Sequence, residues 1–202
     1  SFDNVAVQIL PPQVTLESTD DFESGPGPMF GSSVSGSWTA QQGRYGGTPA
    51  AGSDAAISLV DLGVDGLATS SALDLTATLS TATRAGFVYD YYGLDDFKFV
   101  MIDAESDQLV MGHRTAKHGW VIDAVAAKTI DAGVDYELGL VVRGSTVTAT
   151  LNGQTVLSQA YNSVVVDGAF GEVGAEVPAA PTDRKEVTLG VTYGVGAGAG
   201  DL

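Results

Sequence analysis

Two histidines are the residues of this sequence best suited to acid–base chemistry near neutral pH. His113 and His118 both lie in the stretch GHRTAKHG, in what reads as a strand followed by a turn. The sequence has no cysteine, which excludes disulfides, zinc–thiolate sites and thiol nucleophiles. Neither G-x-S-x-G nor H-E-x-x-H occurs. We therefore predict that His113 packs or hydrogen-bonds beside a sheet, with a ligand contact as the alternative, and that His118 is a turn or surface group.

Paired carboxylates are the other common catalytic device, because a glycoside hydrolase needs two carboxyl groups beside the scissile bond. The candidate pairs are Glu172 and Glu176 in GEVGAEV, and Asp135 and Glu137 in DYE. The first pair lies in a stretch rich in glycine and proline, and the second falls on the polar face of a predicted hairpin. The patterns E-x-D-x-E and E-x-D-x-x-E are absent. We therefore predict a protein that is not an enzyme.

A cluster of carboxylates near the start of the chain could bind Ca²⁺, because this hard cation prefers several oxygen ligands in irregular loops. The stretch STDDFES supplies Asp20, Asp21 and Glu23. The alternative is that the two aspartates only place charge at a strand end. Acidic groups at 95–96 and 103–107 compete for the same role, and no EF-hand loop is present. Both interpretations stay open.

Aromatic and basic side chains from neighbouring predicted strands could bind a sugar or a peptide, and the candidates are Tyr91, Lys98, His113, Arg114 and Trp120. The alternative is core packing, since strand alternation places Phe87, Tyr89 and Tyr91 on one face. A second candidate is Trp38 with Arg44 and Tyr45, which the sequence predicts to lie on a loop.

The charge balance limits the partners of the chain. Its 202 residues carry 25 acidic and 9 basic side chains, for a formal net charge of −16. Nucleic acid and anionic lipid surfaces both attract basic proteins, so neither is an expected partner. No apolar run approaches the roughly 20 residues of a membrane helix, and no membrane insertion is predicted. The acidity fits a soluble surface in a salty, extracellular setting.

The elements that position these residues are predicted to be strands. Glycine, threonine, valine and serine are abundant, and few segments have helical periodicity. The clearest unit is a meander over 135–156, in which Asn152-Gly153 is a strong signal for a two-residue hairpin turn. Similar alternation elsewhere predicts ten to thirteen short strands, which is the pattern of a sandwich or jelly roll. The stretches ESGPGPMFGSSVSGSW and GEVGAEVPAAPTDRKEV are predicted to be exposed loops.

Three stretches carry a resemblance to a known family. TDDFESG, the centre GFVYDY…DDFKF…MGHR…GWVIDA, and the hairpin YELGLVVRGSTVTATLNG resemble concanavalin A-like and laminin G-like (LamG-like) jelly rolls. More narrowly, they resemble the LamG-like modules repeated in very large bacterial cell-surface proteins with cadherin-like repeats. The resemblance covers about residues 19–202 and the opening strand. It implies an all-β, two-sheet antiparallel jelly-roll sandwich at a bacterial surface or in the extracellular space.

The resemblance also implies that the opening strand is out of phase. In such modules a strand like SFDNVAVQ comes last, and joining TYGVGAGAGDL to it restores the family order. We predict an opening strand over 1–10, a Pro-Pro connector over 11–18 and a jelly roll over 19–202. Across the joined ends, Asp3 would lie beside the carboxylates near Asp20 and complete the candidate calcium site.

The predicted function depends on which sandwich the opening strand over 1–10 completes. An incomplete sandwich exposes an unpaired edge, which an added strand can fill. The chain is thus predicted to be a non-catalytic structural or adhesive module, in a tandem array or a filament, that contacts other copies of itself head to tail or neighbouring modules. The complementing residues would be Phe2, Val5, Val7 and Ile9. The alternatives are a strand that closes its own sandwich, and a lectin-like module that binds surface glycan, with or without Ca²⁺.

Overall fold

The structure is a computed structural model, and it describes residues 13–30, 32–62, 67, 69, 71–175 and 190–197. Within these ranges the chain forms strands and no helix. The strands are β1 (Gln13–Asp20), β2 (Ser32–Ser35), β3 (Ser37–Gln41), β4 (Arg44–Thr48), β5 (Ala55–Leu59), β6 (Ser71–Leu79), β7 (Arg84–Gly93), β8 (Asp96–Asp103), β9 (Gln108–Thr115), β10 (Gly119–Ala127), β11 (Tyr136–Arg143), β12 (Thr146–Leu151), β13 (Gln154–Ala160), β14 (Ala169–Ala175) and β15 (Gly190–Ala197).

The strands build two large antiparallel sheets, which confirms the predicted all-β jelly-roll sandwich. One sheet has six strands in the order β1-β15-β6-β11-β12-β13, and the other has seven in the order β10-β9-β8-β7-β14-β5-β2. Strands β3 and β4 form a separate hairpin. The crossovers between β6 and β7 and between β13 and β14 carry the chain from one sheet to the other, as a two-sheet sandwich requires.

The predicted hairpin turn at 152–153 is confirmed. Asn152 and Gly153 have φ angles of 51° and 74°, the left-handed values that a type I′ turn needs at both central positions. The turn sets the pairing of β12 with β13, and Leu138, Leu140 and Val142 of the neighbouring β11 are fully buried. The alternating apolar side chains that the sequence shows in β11 therefore point into the core.

The main core lies between the sheets. It contains the inward side chains of β6, β7, β11 and β12, among them Leu75, Phe87 and Leu140, which are all completely buried. A second apolar cluster lies on the opposite, outer face of the seven-stranded sheet and includes Phe97 and Phe99 of β8. Because β8 is buried on both faces, its sequence DFKFVMID is almost continuously apolar.

The structure differs from the predicted loops in two places. β3 and β4 lie where the sequence predicts a loop, and Tyr45 of β4 is buried, stacked on Trp38 with ring centroids 4.9 Å apart. The predicted loop-borne pair is therefore part of the core, because the rings find more apolar contact there than in solvent. The stretch GEVGA, predicted to be exposed, forms most of β14 in the middle of the seven-stranded sheet. Its Glu172 is fully buried.

The predicted division of the chain falls largely on residues that the structure does not describe. Residues 1–12 lie outside the described ranges, and with them the opening strand and the Pro-Pro pair. β1 begins at Gln13 and pairs with β15, so residues 13–18 of the predicted connector belong to the six-stranded sheet.

Candidate functional site

The five predicted ligand-binding residues lie on two faces of the seven-stranded sheet. Lys98 of β8 pairs directly with His113 of β9, and directly opposed residues project to the same face. Both lie on the inner face, which is also the face of the buried Val100 and Met111. Arg114 pairs with Trp120 of β10, and both lie on the outer face. The structure therefore forms two candidate sites from the one predicted set.

A bulge in β7 decides where Tyr91 lies. The register of β7 on β8 shifts between Tyr89 and Gly93, and Asp90 has a φ of 49°. A bulge adds a residue and changes the alternation of side chains beyond it. Tyr89 therefore lies in the main core, whereas Tyr91 packs against the outer cluster. The predicted single stripe of Phe87, Tyr89 and Tyr91 is wrong for this reason.

The outer aromatic patch consists of Tyr91, Phe97, Arg114 and Trp120. Tyr91 stacks on Phe97 with centroids 5.7 Å apart, and Trp120 meets Phe97 edge to face at 5.4 Å. The Arg114 guanidinium lies 5.2 Å from the centroid of the Trp120 ring, a cation–π distance.

Asp54 holds the charged part of this patch together. Its carboxylate accepts two hydrogen bonds from Arg114 Nη1, at 2.7 and 2.8 Å, and one from Trp120 Nε1 at 2.8 Å. Burial alone would raise the pKa of Asp54, but the Trp120 and Arg114 hydrogen bonds outweigh it, and the pKa lies below its ordinary value. Asp95 accepts a further bond from Arg114 at 3.1 Å. The polar groups of Arg114 and Trp120 thus have partners within the protein, and the patch is built as a packing unit.

The second candidate site is a concave cleft of about 390 Å³ at one end of the sandwich. Its walls come from β8, β9 and β10 of one sheet and from the end of β13, with the residues that follow it, in the other. Its polar and aromatic lining includes the side chains of Asp96, Lys98, His113, Asp123, Gln159, Tyr161 and Asn162. A cavity of this volume accommodates a small ligand or one or two sugar residues.

Lys98 is held at the cleft by a carboxylate and an aromatic ring. Its ammonium forms a very short ion pair with Asp90, whose side chain is only 6% exposed, and lies 5.2 Å from the centroid of the Tyr161 ring. The Tyr161 hydroxyl shares a hydrogen bond of 3.0 Å with the hydroxyl of Tyr89. Burial raises the pKa of Tyr161 to about 12, with further raising contributions from Asp123 and Asp90. Both phenols therefore stay protonated at neutral pH and can act as hydrogen-bond donors.

His113 is oriented by Asp123 of β10. Its Nδ1 lies 3.0 and 2.9 Å from the two carboxylate oxygens. Because a carboxylate only accepts, Nδ1 donates and Nε2 is left to accept when the ring is neutral. The prediction that His113 is hydrogen-bonded beside the sheet is confirmed, and the histidine also lines the cleft. His118 follows β9 in an exposed turn, as predicted.

The predicted calcium site stays a prediction. Asp20 accepts hydrogen bonds from the backbone N–H groups of Phe22 at 2.8 Å and Gly27 at 2.6 Å, so it organises the loop that follows β1. Asp21 similarly accepts from the amide of Glu23 at 3.1 Å. The part of the chain that the structure describes contains no group of three carboxylate or imidazole side chains placed to hold a metal ion. Asp3 lies outside that part.

Sequence reasoning missed Asp123 and Tyr161, which line the cleft, and Asp90, which is bonded to Lys98. Asp90, Asp123 and Tyr161 are separated by at least thirty positions along the chain and belong to three different strands or loops. No short motif contains any two of them, because strand pairing and the contact between the sheets bring them together. The only sequence signal was the prediction that Lys98 and His113 belong to neighbouring strands.

Among the comparisons with known proteins, only the comparison with solved structures finds similar proteins, and it identifies the fold class. No protein-family model matches the sequence. A search of characterised proteins finds no significant sequence match. Solved structures do match: the chain is similar to two-sheet jelly rolls.

Three of the similar structures illustrate this class. The carbohydrate-binding module CBM66 from Bacillus subtilis has a TM-score of 0.64 and 15% identity, with 80% of this chain and 93% of that one covered. The catalytic domain of a laminarinase, an endo-1,3-β-glucanase from Thermotoga petrophila, has a TM-score of 0.56 and 9% identity, over 95% and 100%. A structure from work on endo-acting O-glycanases of human gut bacteria has a TM-score of 0.54 and 9% identity, over 92% and 99%. At these identities the likeness establishes the fold alone.

Proposed function

We propose that this chain is a non-catalytic carbohydrate-binding module, and that a sugar residue binds in the cleft. The observation that carries the proposal is the lining of this concave site. Hydroxyl-rich ligands need several fixed donors and acceptors, and the cleft offers amides at Gln159 and Asn162, the Asp123 carboxylate and the His113 ring. The Tyr161 ring also lines the cleft, with the Lys98 ammonium 5.2 Å from its centroid.

The cleft is favoured over the outer aromatic patch for a physical reason. In the patch, the Trp120 N–H is already bonded to Asp54, its ring is contacted by Arg114, Phe97 and Phe99, and it is not a free platform. In the cleft, by contrast, the only hydrogen bond that the Gln159 side chain makes within the described residues is a long one, of 3.4 Å, to the adjacent carbonyl. A ligand can therefore replace water there without breaking a strong contact.

A non-catalytic role rests on the carboxylates. Glycoside hydrolysis requires a carboxylic acid and a second carboxylate on opposite sides of one bond. The sequence lacks the corresponding glutamate patterns, and of the two carboxylates that line the cleft, Asp96 and Asp123, the second is hydrogen-bonded to His113. Some proteins with this fold are enzymes, such as the laminarinase above, so this part of the proposal is tested by incubating the protein with the glycan that it binds and looking for cleavage products.

The setting we propose is extracellular, as part of a bacterial surface protein. The resemblance to repeated LamG-like modules, the acidic surface and the carbohydrate-binding neighbour all fit this setting. In the described part of the chain, no helix has the length and apolar character that crossing a membrane requires.

Strand complementation through residues 2–10 is the second candidate function. One observation favours it: within the described strands, β1 is the edge of the six-stranded sheet, and the opening segment leads directly into it. A segment connected to an edge strand is well placed to pair with another copy or another module. This role is compatible with sugar binding at the far edge of that sheet, next to β13.

The test of sugar binding is a glycan array followed by titration calorimetry with the best glycan. We expect Gln159→Ala to weaken binding by about fivefold, since a hydrogen bond contributes about 1 kcal/mol. The matched control is Gln154→Ala, because Gln154 lies in the same strand, is exposed and does not line the cleft. Trp120→Phe tests the patch, and loss of binding in this variant with full binding in Gln159→Ala would place the site on the outer face instead. An array with no binder would contradict the proposal.

A further inference from the structure

The charges around the cleft do not balance. Two basic side chains lie on its inner-face wall, Lys98 and His113, whereas the Arg114 side chain belongs to the outer aromatic patch. Three carboxylates lie in the cleft or are directly bonded to these two groups, namely Asp90, Asp96 and Asp123. The local sum is therefore negative whether or not His113 is protonated. The net charge of −16 on the whole chain adds a field of the same sign.

Two of these carboxylates face the cleft without a permanent cation of their own. Asp96 is exposed and forms no ion pair with any described residue, and the described partner of Asp123 is the His113 ring. Lys98 and Arg114 are already neutralised by Asp90, and by Asp54 and Asp95. The cleft therefore has negative charge available for a ligand and no free positive charge.

The surroundings of Lys98 indicate which chemical group such a ligand would carry. Its ammonium lies between the Asp90 carboxylate and the face of Tyr161, so this end of the sandwich already stabilises one primary ammonium by charge and by cation–π contact. Asp90 is more than nine-tenths buried, and its Oδ1 has no hydrogen-bond partner among the described residues. A buried carboxylate oxygen without a partner increases the negative potential beside Lys98.

We propose that the cleft binds a glycan through a free amino sugar in its ammonium form and discriminates against acidic glycans; this inference rests on the proposed function above. The sugar ammonium would pair with Asp96 and Asp123, while its hydroxyls bond the amides of Gln159 and Asn162. A uronate, sulfate or sialic acid would instead meet the carboxylates of Asp96, which forms no ion pair with a described residue, and of Asp123, which is bonded to the His113 ring. Like-charge contacts of this kind suppress binding.

The test uses two ligands that differ only in this group, namely chitosan and chitin oligosaccharides of equal length. At a mildly acidic pH, where the free amine is protonated, we expect the chitosan oligomer to bind about tenfold more tightly by calorimetry, which is the effect of two partly exposed ion pairs. Added salt should reduce this ratio, because exposed charges are screened. An oligogalacturonate should bind more weakly than either.

Variants of the cleft residues test whether the preference for the chitosan oligomer arises in the cleft. The combined Asp96→Asn and Asp123→Asn exchange keeps the shape of both side chains and removes both charges, so the ratio should fall to about twofold. The matched control is Asp131→Asn, since Asp131 is exposed and does not line the cleft. Circular dichroism and a melting curve verify that each variant is folded.

The outcomes separate the two proposals. Equal binding of the two oligomers, or a ratio that the double exchange leaves unchanged, would overturn the amino-sugar inference and leave sugar binding intact. Failure of both oligomers to bind, with a neutral glycan bound on the array and weakened by Gln159→Ala, would likewise overturn only the inference. If no glycan binds, both proposals fail.

Discussion

At the scale of single residues, the backbone of Asp90 determines which side chains reach the cleft. Its φ of 49° lies in the left-handed region, which aspartate tolerates better than most residues other than glycine. The resulting bulge moves Tyr91 to the outer face and leaves the Asp90 carboxylate bonded to Lys98.

The phenol of Tyr161 provides a test at the same scale. Its pKa of about 12 in the folded protein lies above the ordinary value of about 10 that it has when unfolded. The folded state therefore holds this proton more tightly, and its contribution to stability is present below pH 10 and lost as the pH rises towards 12. Burial and its contact with Tyr161 also raise the pKa of Tyr89.

We expect Tyr161→Phe to reduce this alkaline loss of stability. The free energy of unfolding, measured in urea at a series of alkaline pH values and compared with the neutral value, should fall less steeply for the variant. The absorbance of the phenolate gives an independent reading of the titration. Identical pH profiles for the two proteins would show that Tyr161 is not held in the buried, hydrogen-bonded state described here.

At the scale of elements, strands with regular alternation were predictable and irregular ones were not. β6, β11 and β12 follow the sequence pattern closely, because they bury alternate apolar side chains. β8 and β9 are recognisable as short apolar runs, because consecutive side chains in them are buried. β2 and β3 consist largely of serine and threonine, and β14 is rich in glycine, so their sequences resemble loops. Pairing with neighbours that are already in the sheet overrides their weak local preference.

The candidate site was predictable only in part, because it too depends on contacts between distant segments of the chain. The sequence grouped Lys98, His113, Arg114 and Trp120 as side chains of neighbouring strands, but it did not separate the two faces of the sheet. It also could not reveal the Asp90 bulge or the approach of Tyr161 from the other sheet. Both depend on contacts between segments that are distant in sequence. A single sequence contains no periodic signal for such contacts.

The close approach of neighbouring strands provides a test at this scale. Gly86 lies in β7 between β8 and β14, where an added Cβ would overlap the carbonyl oxygen of Val100. We expect Gly86→Ala to lower the free energy of unfolding by about 3 kcal/mol, because a packed sheet cannot move aside cheaply. Gly93→Ala is the control in the same strand, since nothing lies within 4 Å of an added Cβ there. Equal costs in urea denaturation would contradict the described packing of β7 on β8.

At the scale of the whole molecule, the cleft lies at one edge of each sheet. The cleft lies beside β10 and β13, which are edge strands of the two sheets within the described chain. β1 is the opposite edge of the six-stranded sheet. A glycan bound at the cleft would therefore lie at the opposite edge of the six-stranded sheet from β1.

The predicted role of the opening segment is tested by changing one face of it. We expect the combined change Val5→Ser, Val7→Ser and Ile9→Ser to cause aggregation and a lower melting temperature, because the apolar face of the strand could no longer cover a sheet edge or groove. The control carries the changes Asn4→Ser, Ala6→Ser and Gln8→Ser, which leave the apolar face unchanged. Size-exclusion chromatography with light scattering then separates the models: a monomeric wild-type protein indicates a strand that closes its own sandwich, and a concentration-dependent series of oligomers indicates donation to a neighbour. If both triple variants behave like the wild type, residues 1–10 are only a linker, and the proposal of strand complementation fails while sugar binding at the cleft remains unaffected.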